Sequence, residues 1–144
     1  PTRDIVAEDG DTISLGATTV RLAITPGHTP GTLSLIFPVY EDGQQHMAGL
    51  MGGSGGGRDS ETHHQQIASL HRWNELTAAA GVDVLLTNHP PHMDSNEKLY
   101  LLSYEATDGA NPFIYGRDKY RRYFEMLSEC SRVALARLGE TGDD

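Results

Sequence analysis

Apolar and polar positions alternate over the first third of the chain and then change period. Between Thr19 and Thr25, the side chains of Val20, Leu22 and Ile24 are separated by polar or small residues, the period of two expected of a strand. Thr12 to Leu15 lies just before it, bounded by Asp9-Gly10-Asp11 and Gly16-Ala17, so the two runs predict a β-hairpin with one buried face. A third strand is predicted over Leu33 to Val39, followed by the turn Glu41-Asp42-Gly43 and a weaker strand from about His46 to Met51.

Past Gly52-Gly53-Ser54-Gly55-Gly56-Gly57 the spacing becomes helical. Ile67, Leu70, Trp73 and Leu76 fall on one side of a helix predicted over 63–80, with Gly81 as its C-terminal cap. It runs into Val82-Asp83-Val84-Leu85-Leu86-Thr87, a short branched stretch expected of a strand buried on both faces. Asp94 or Ser95 opens another helix, with Glu97 three after Asp94 as in a capping box. The last helix, predicted over 118–138, carries a stripe of Tyr123, Phe124, Leu127, Cys130, Ala134, Leu135 and Leu138, which makes Cys130 a core residue. Strands covered by helices predict an α/β or α+β layered fold, with residues 1–144 forming a single domain.

Composition narrows the function classes. A chain of 144 residues and 15.7 kDa is long enough for one core, and it holds no apolar run near the roughly 18 residues a membrane span needs. The net charge of -9 excludes nucleic acid and anionic membranes as expected partners, because both are polyanions. Six basic residues between Arg117 and Arg137 are interleaved with glutamates and read as a solvated helix face. A single cysteine excludes an intramolecular disulfide and a Cys-rich zinc site. With no initiator Met before Pro1 and strand-like sequence following at once, a processed or truncated polypeptide is expected.

Two segments carry candidate chemistry. In Thr25-Pro26-Gly27-His28-Thr29-Pro30-Gly31, prolines restrict the backbone and glycines let it turn, so one imidazole is presented in a fixed direction, as a metal ligand must be. Asn88-His89-Pro90-Pro91-His92 stands where the buried strand ends, the usual place for sites in layered α/β proteins. Taken singly, each histidine also reads as an ordinary turn residue.

These segments, with Asp9-Gly10-Asp11 and Leu15-Gly16, resemble the second half of a metallo-β-lactamase over about residues 4 to 100, most closely the subclass whose two zinc ions are held by His and Asp without Cys. The resemblance implies half of an αββα sandwich with a mixed sheet and covering helices. It makes His28 the third histidine of the first zinc site and His89 a ligand of the second, and it implies a small-molecule β-lactam substrate and a periplasmic location. Lactones and thioesters are opened by the same superfamily. The family's leading His-x-His-x-Asp-His string does not occur in the chain, and His63-His64 does not replace it, having neither its spacing nor its aspartate. Near Met51, where relatives often place an aspartate or serine that supports metal or substrate, stand Ala48 and glycines. The remaining ligands are therefore expected from an N-terminal half or partner chain, and the chain alone is expected to be inactive because a catalytic zinc normally takes about three protein ligands.

Two other readings start from the glycine run. Gly52, Ser54 and Gly56 match Gly-x-Ser-x-Gly, with Asp83 and His89 or His92 following in the order of a serine-hydrolase triad. Within the zinc reading, Ser54 is instead a substrate contact on a loop bordering the pocket. A phosphate-binding loop is excluded, because Arg58 and Asp59 replace its Lys and Ser/Thr. A third possibility is a non-catalytic half-domain that needs a partner to cover its sheet.

Overall fold

A computed structural model describes residues 2, 4–53, 55–103 and 110–140. Five strands form one sheet in sequence order: β1 (Thr12–Leu15), β2 (Thr18–Ile24), β3 (Leu33–Glu41), β4 (Gln44–Met51) and β5 (Val84–Thr87). All neighbours are antiparallel except β4 and β5, which are parallel. A parallel pair needs a crossover. Helix α1 (Ser60–Ala80) supplies it, and α2 (Ser95–Ser103) and α3 (Arg117–Arg137) follow β5. The mixed sheet with covering helices is the α+β architecture expected from the alternating pattern.

Turn chemistry sets the hairpins. Glu41 pairs with Gln44 across Asp42-Gly43, both at positive φ (48° and 79°), the requirement of a two-residue type I′ turn. Leu15 pairs with Thr18 across Gly16-Ala17, with Gly16 alone at positive φ. Helix α1 starts three residues before the predicted 63–80 span because the Asp59 carboxylate accepts from the Thr62 amide at 2.9 Å. It ends at Gly81, whose left-handed φ of 70° only glycine adopts readily.

One face of the sheet carries Ala23, Ile36, Met51 and Leu85 into a core with Leu70 and Trp73 of α1 and Tyr120 and Phe124 of α3. The Trp73 indole N–H donates to the Tyr120 hydroxyl at 3.1 Å. Burial pushes the Tyr120 phenol well above its ordinary pKa, so it stays neutral. That hydroxyl lies against the β4 backbone at Gly49, where an added Cβ would collide with it. By register, the opposite face holds Leu22, Ile24, Leu33, Leu35, Phe37, Val39, Ala48, Leu50, Val84 and Leu86. A sheet apolar on both faces is the pattern of a layer made to be covered twice.

Two expectations fail. Cys130 and Leu138 of the expected stripe are exposed, not core, because α3 turns Tyr120, Phe124, Ser128, Ser131 and Leu135 inward, and both lie off that stripe. The first hairpin does not have one continuous buried face either: β1 is exposed along its whole length, with Leu15 87% accessible, and burial begins at Leu22.

Candidate metal centre

Strands β2, β4 and β5 run the same way, since the first two each oppose β3 and β5 follows β4. Their C-terminal ends therefore leave one edge of the sheet together. Ile24 is opposite Leu33, Leu35 opposite Leu50, and Met51 beside Thr87. From this row emerge the turn bearing His28, the glycine loop from Gly52, and Asn88-His89.

The end of β2 is pinned on both sides. The Ile24 amide donates to Asp9 Oδ1 at 2.8 Å, and its carbonyl accepts from Arg72 Nη1 of α1 at 2.9 Å. Arg72 Nη2 closes the triangle on Asp9 Oδ2 at 2.6 Å. Beyond it, Ser69 Oγ donates to the Pro26 carbonyl at 2.6 Å, holding the start of the Thr25–Gly31 turn against α1. The Ile24 amide first, and Arg72 second, hold the Asp9 carboxyl below its ordinary value. A lowered folded-state pKa contributes stability that is present above the ordinary carboxylate value, about 3.9, and is lost as pH falls through the lowered one. Acid titration followed by amide exchange at Ile24 is expected to show this bond opening below about pH 4, and Asp9→Asn is expected to remove that step.

His28 is exposed, and its Nδ1 lies 3.0 Å from the Gly55 carbonyl. A carbonyl only accepts, so Nδ1 carries a proton, and in the neutral ring Nε2 is then the nitrogen that keeps a lone pair. That is the arrangement of a metal-ligating imidazole fixed by a backbone oxygen. The glycine loop packs so closely on the ring's stem that a Cβ at Gly53 would collide with His28 Cβ. Across the edge, the Asn88 amide donates to the Gly52 carbonyl at 2.6 Å, and the Gly52 amide donates to Ser34 Oγ at 3.1 Å. His89 follows Asn88, exposed, with its backbone amide donating to Thr87 Oγ1 at 3.2 Å.

His28 and His89 thus share one sheet edge, bridged by the glycine loop. His28 fits a zinc ligand by its free Nε2, yet among the described residues no group of three or more His, Cys, Asp or Glu could hold a metal ion. His64 stands 3.4 Å from Glu140, and His63 Nδ1, buried against Gly56 of the glycine loop, has no hydrogen bond among the described residues. Ser54 lies outside the described residues, as does the side chain of His92.

Asp83, the acid of the serine-hydrolase alternative, is engaged elsewhere. Its carboxylate accepts from His46 Nδ1 at 2.7 Å and from the Met47 amide at 3.0 Å. The four residues of β5 separate it from His89 by roughly 13 Å of strand, so it does not orient that ring. Neither this pair nor the bonds made by Asp9, Arg72, Gln66 and Asn88 is read from the sequence, although Asp9, Asp83 and Asn88 each stand in a segment that the sequence marks.

The fold matches solved structures across nearly its whole length. The native FEZ-1 metallo-β-lactamase from Legionella gormanii superposes with a TM-score of 0.75 at 25% identity, covering 95% of this chain and 53% of that one. The chain has the metallo-β-lactamase fold. BJP-1, a subclass B3 metallo-β-lactamase of Bradyrhizobium japonicum, matches with a TM-score of 0.68 at 27% identity, covering 93% of this chain and 51% of its own. Rm3 metallo-β-lactamase, at 22% identity and a TM-score of 0.68, supports the fold alone. The chain spans about half the length of these metallo-β-lactamases. No protein-family model and no curated protein matches it.

Proposed function

We propose that the chain supplies one half of a zinc-dependent hydrolase of metallo-β-lactamase type, with His28 at the first zinc, His89 at the second, and a β-lactam amide as substrate. The observation that carries this is the His28 imidazole, set by the Gly55 carbonyl at Nδ1 so that Nε2 is the nitrogen left for a metal, on the same sheet edge as His89. The likeness to FEZ-1 and BJP-1 supports the substrate class.

When bound, zinc lowers the pKa of its water to about 7 and polarises the scissile carbonyl. The chain's own residues position and exclude. Gly55 holds the His28 tautomer, Asn88 ties the His89 loop to Gly52, and Asp9 with Arg72 fixes the strand end from which His28 is presented. Ser54, next in sequence to the Gly53 that packs on His28, is assigned to substrate contact.

The other ligands come from the part of the fold this chain does not span, and that part covers the apolar face of Leu33, Leu35, Phe37, Val39, Leu50 and Leu86. The neighbours' extra length, about as long again as the matched region, fits a second layer of this size.

The test is β-lactam opening, followed at the lactam absorbance, by the chain assembled with the other half of the fold. Chelation is expected to abolish turnover and zinc to restore it. His28→Ala is expected to lower the rate by more than about 100-fold, beyond the loss typical of residues that merely support a ligand. Turnover that survives chelation, or that opens lactones or thioesters but no β-lactam, overturns the assignment.

A further inference from the structure

We propose that Gln66 is a positioning residue for His28: it holds the glycine loop so that the Gly55 carbonyl meets Nδ1 and Nε2 faces outward. This rests on the reading of His28 as a zinc ligand.

Gln66 sits in the second turn of α1 and is fully buried. The turn before His28 rests directly on it, since a Cβ built at Gly27 would lie 2.6 Å from Gln66 Oε1 and 2.7 Å from its Cα. On its other side, Gln66 Nε2 donates to the Gly53 carbonyl at 3.4 Å. The carbonyl can only accept, which settles which end of the amide faces it. One side chain therefore touches both segments that flank His28.

The amide is kept at a cost. Among the described residues Oε1 has no hydrogen-bond partner, and a buried carbonyl left unpaired disfavours folding. Methionine would fill a similar volume without that cost. What methionine lacks is the N–H that reaches Gly53, the residue in contact with the His28 stem.

The chain of effect runs through the loop. At Gly55 itself an added Cβ would meet nothing within 4 Å, so the residue that offers its carbonyl to Nδ1 is not wedged on its side-chain side. The carbonyl's place depends on its neighbours in the loop: Ser34 and Asn88 hold Gly52 and Gln66 holds Gly53 upstream, while Gly56 and Gly57 pack against His63 and Thr62 of α1 downstream. If the loop shifts, Nδ1 loses its acceptor, the proton is free to move to Nε2, and the lone pair offered to the metal is lost.

The test is a long-range 1H–15N spectrum of the imidazoles in the full chain, with the His28 signals assigned by their loss in His28→Gln. The wild-type chain is expected to show the Nδ1–H form. Gln66→Met is expected to show a mixture of tautomers, and its His28 signals are expected to need about 10- to 100-fold more zinc to shift. Should that variant not fold, Gln66→Asn, whose amide falls one methylene short of Gly53, is read in the same way. Thr77→Val, also buried on α1 but bonded only within the helix, is expected to leave the tautomer unchanged. An unaltered Nδ1–H form in the Gln66 variants overturns the proposal, as does the same mixture in Thr77→Val, which marks loosening of α1. If zinc fails to move the wild-type His28 signals while the Gln66 variants still change the tautomer, the zinc reading falls and the positioning stands.

Discussion

Exchange of Trp73 for alanine is expected to lower the stability of the fold by about 3–5 kcal/mol, enough to leave a domain of this size largely unfolded near 37 °C. Trp73 is fully buried where α1, α3 and the sheet meet. Its ring stands edge-on to Phe124 at 6.3 Å, and its N–H is the donor to Tyr120. Alanine removes the ring, leaves a cavity, and takes away the donor to the buried Tyr120 hydroxyl. Denaturant unfolding monitored by far-UV circular dichroism measures the loss. Trp73→Phe, which keeps the ring contact and drops the donor, is expected to cost less than half as much. A Trp73→Ala loss below about 1 kcal/mol would mean that α1 and α3 are not the support on which the sheet edge rests.

Self-association of the chain is the second large effect expected. The face carrying Leu33, Leu35, Phe37, Leu50 and Leu86 is apolar over three adjacent strands, and contiguous apolar surface of this kind drives assembly. On size exclusion the chain alone is expected to elute as a dimer or larger species. Phe37→Glu, at the middle of the face, is expected to weaken association by about 30-fold, or about 2 kcal/mol, while the circular dichroism spectrum stays unchanged. A monomer at micromolar concentration, or association that ignores Phe37→Glu, would remove this face as the docking surface for the second half of the fold.

The order of elements was legible because each has a local cause. Alternation marks β2, the Asp42-Gly43 turn sets the β3–β4 hairpin, and Gly81 ends α1 where the spacing stops. Cys130 was misplaced because the inward stripe of α3 includes Ser128 and Ser131, two polar positions that an apolar count passes over. Ser128 Oγ meets His71 Nε2 at 3.1 Å, which lets it be buried. Of the candidate site, His28 and His89 stand out in the sequence by their prolines and strand ends. Their supports could not, because the Asp9–Arg72, Gln66–Gly53 and Asn88–Gly52 bonds join residues 13 to 63 apart in sequence, and nothing in a single chain's spacing marks such pairs.

The proposal that the two histidines belong to a divided zinc site is tested most directly by zinc affinity. Calorimetric titration of zinc into the 144-residue chain, beside His28→Ala and His89→Ala, is expected to give binding weaker than about 1 μM, reduced further by each substitution. Tight stoichiometric binding by the chain alone, or weak binding that neither substitution changes, would contradict it.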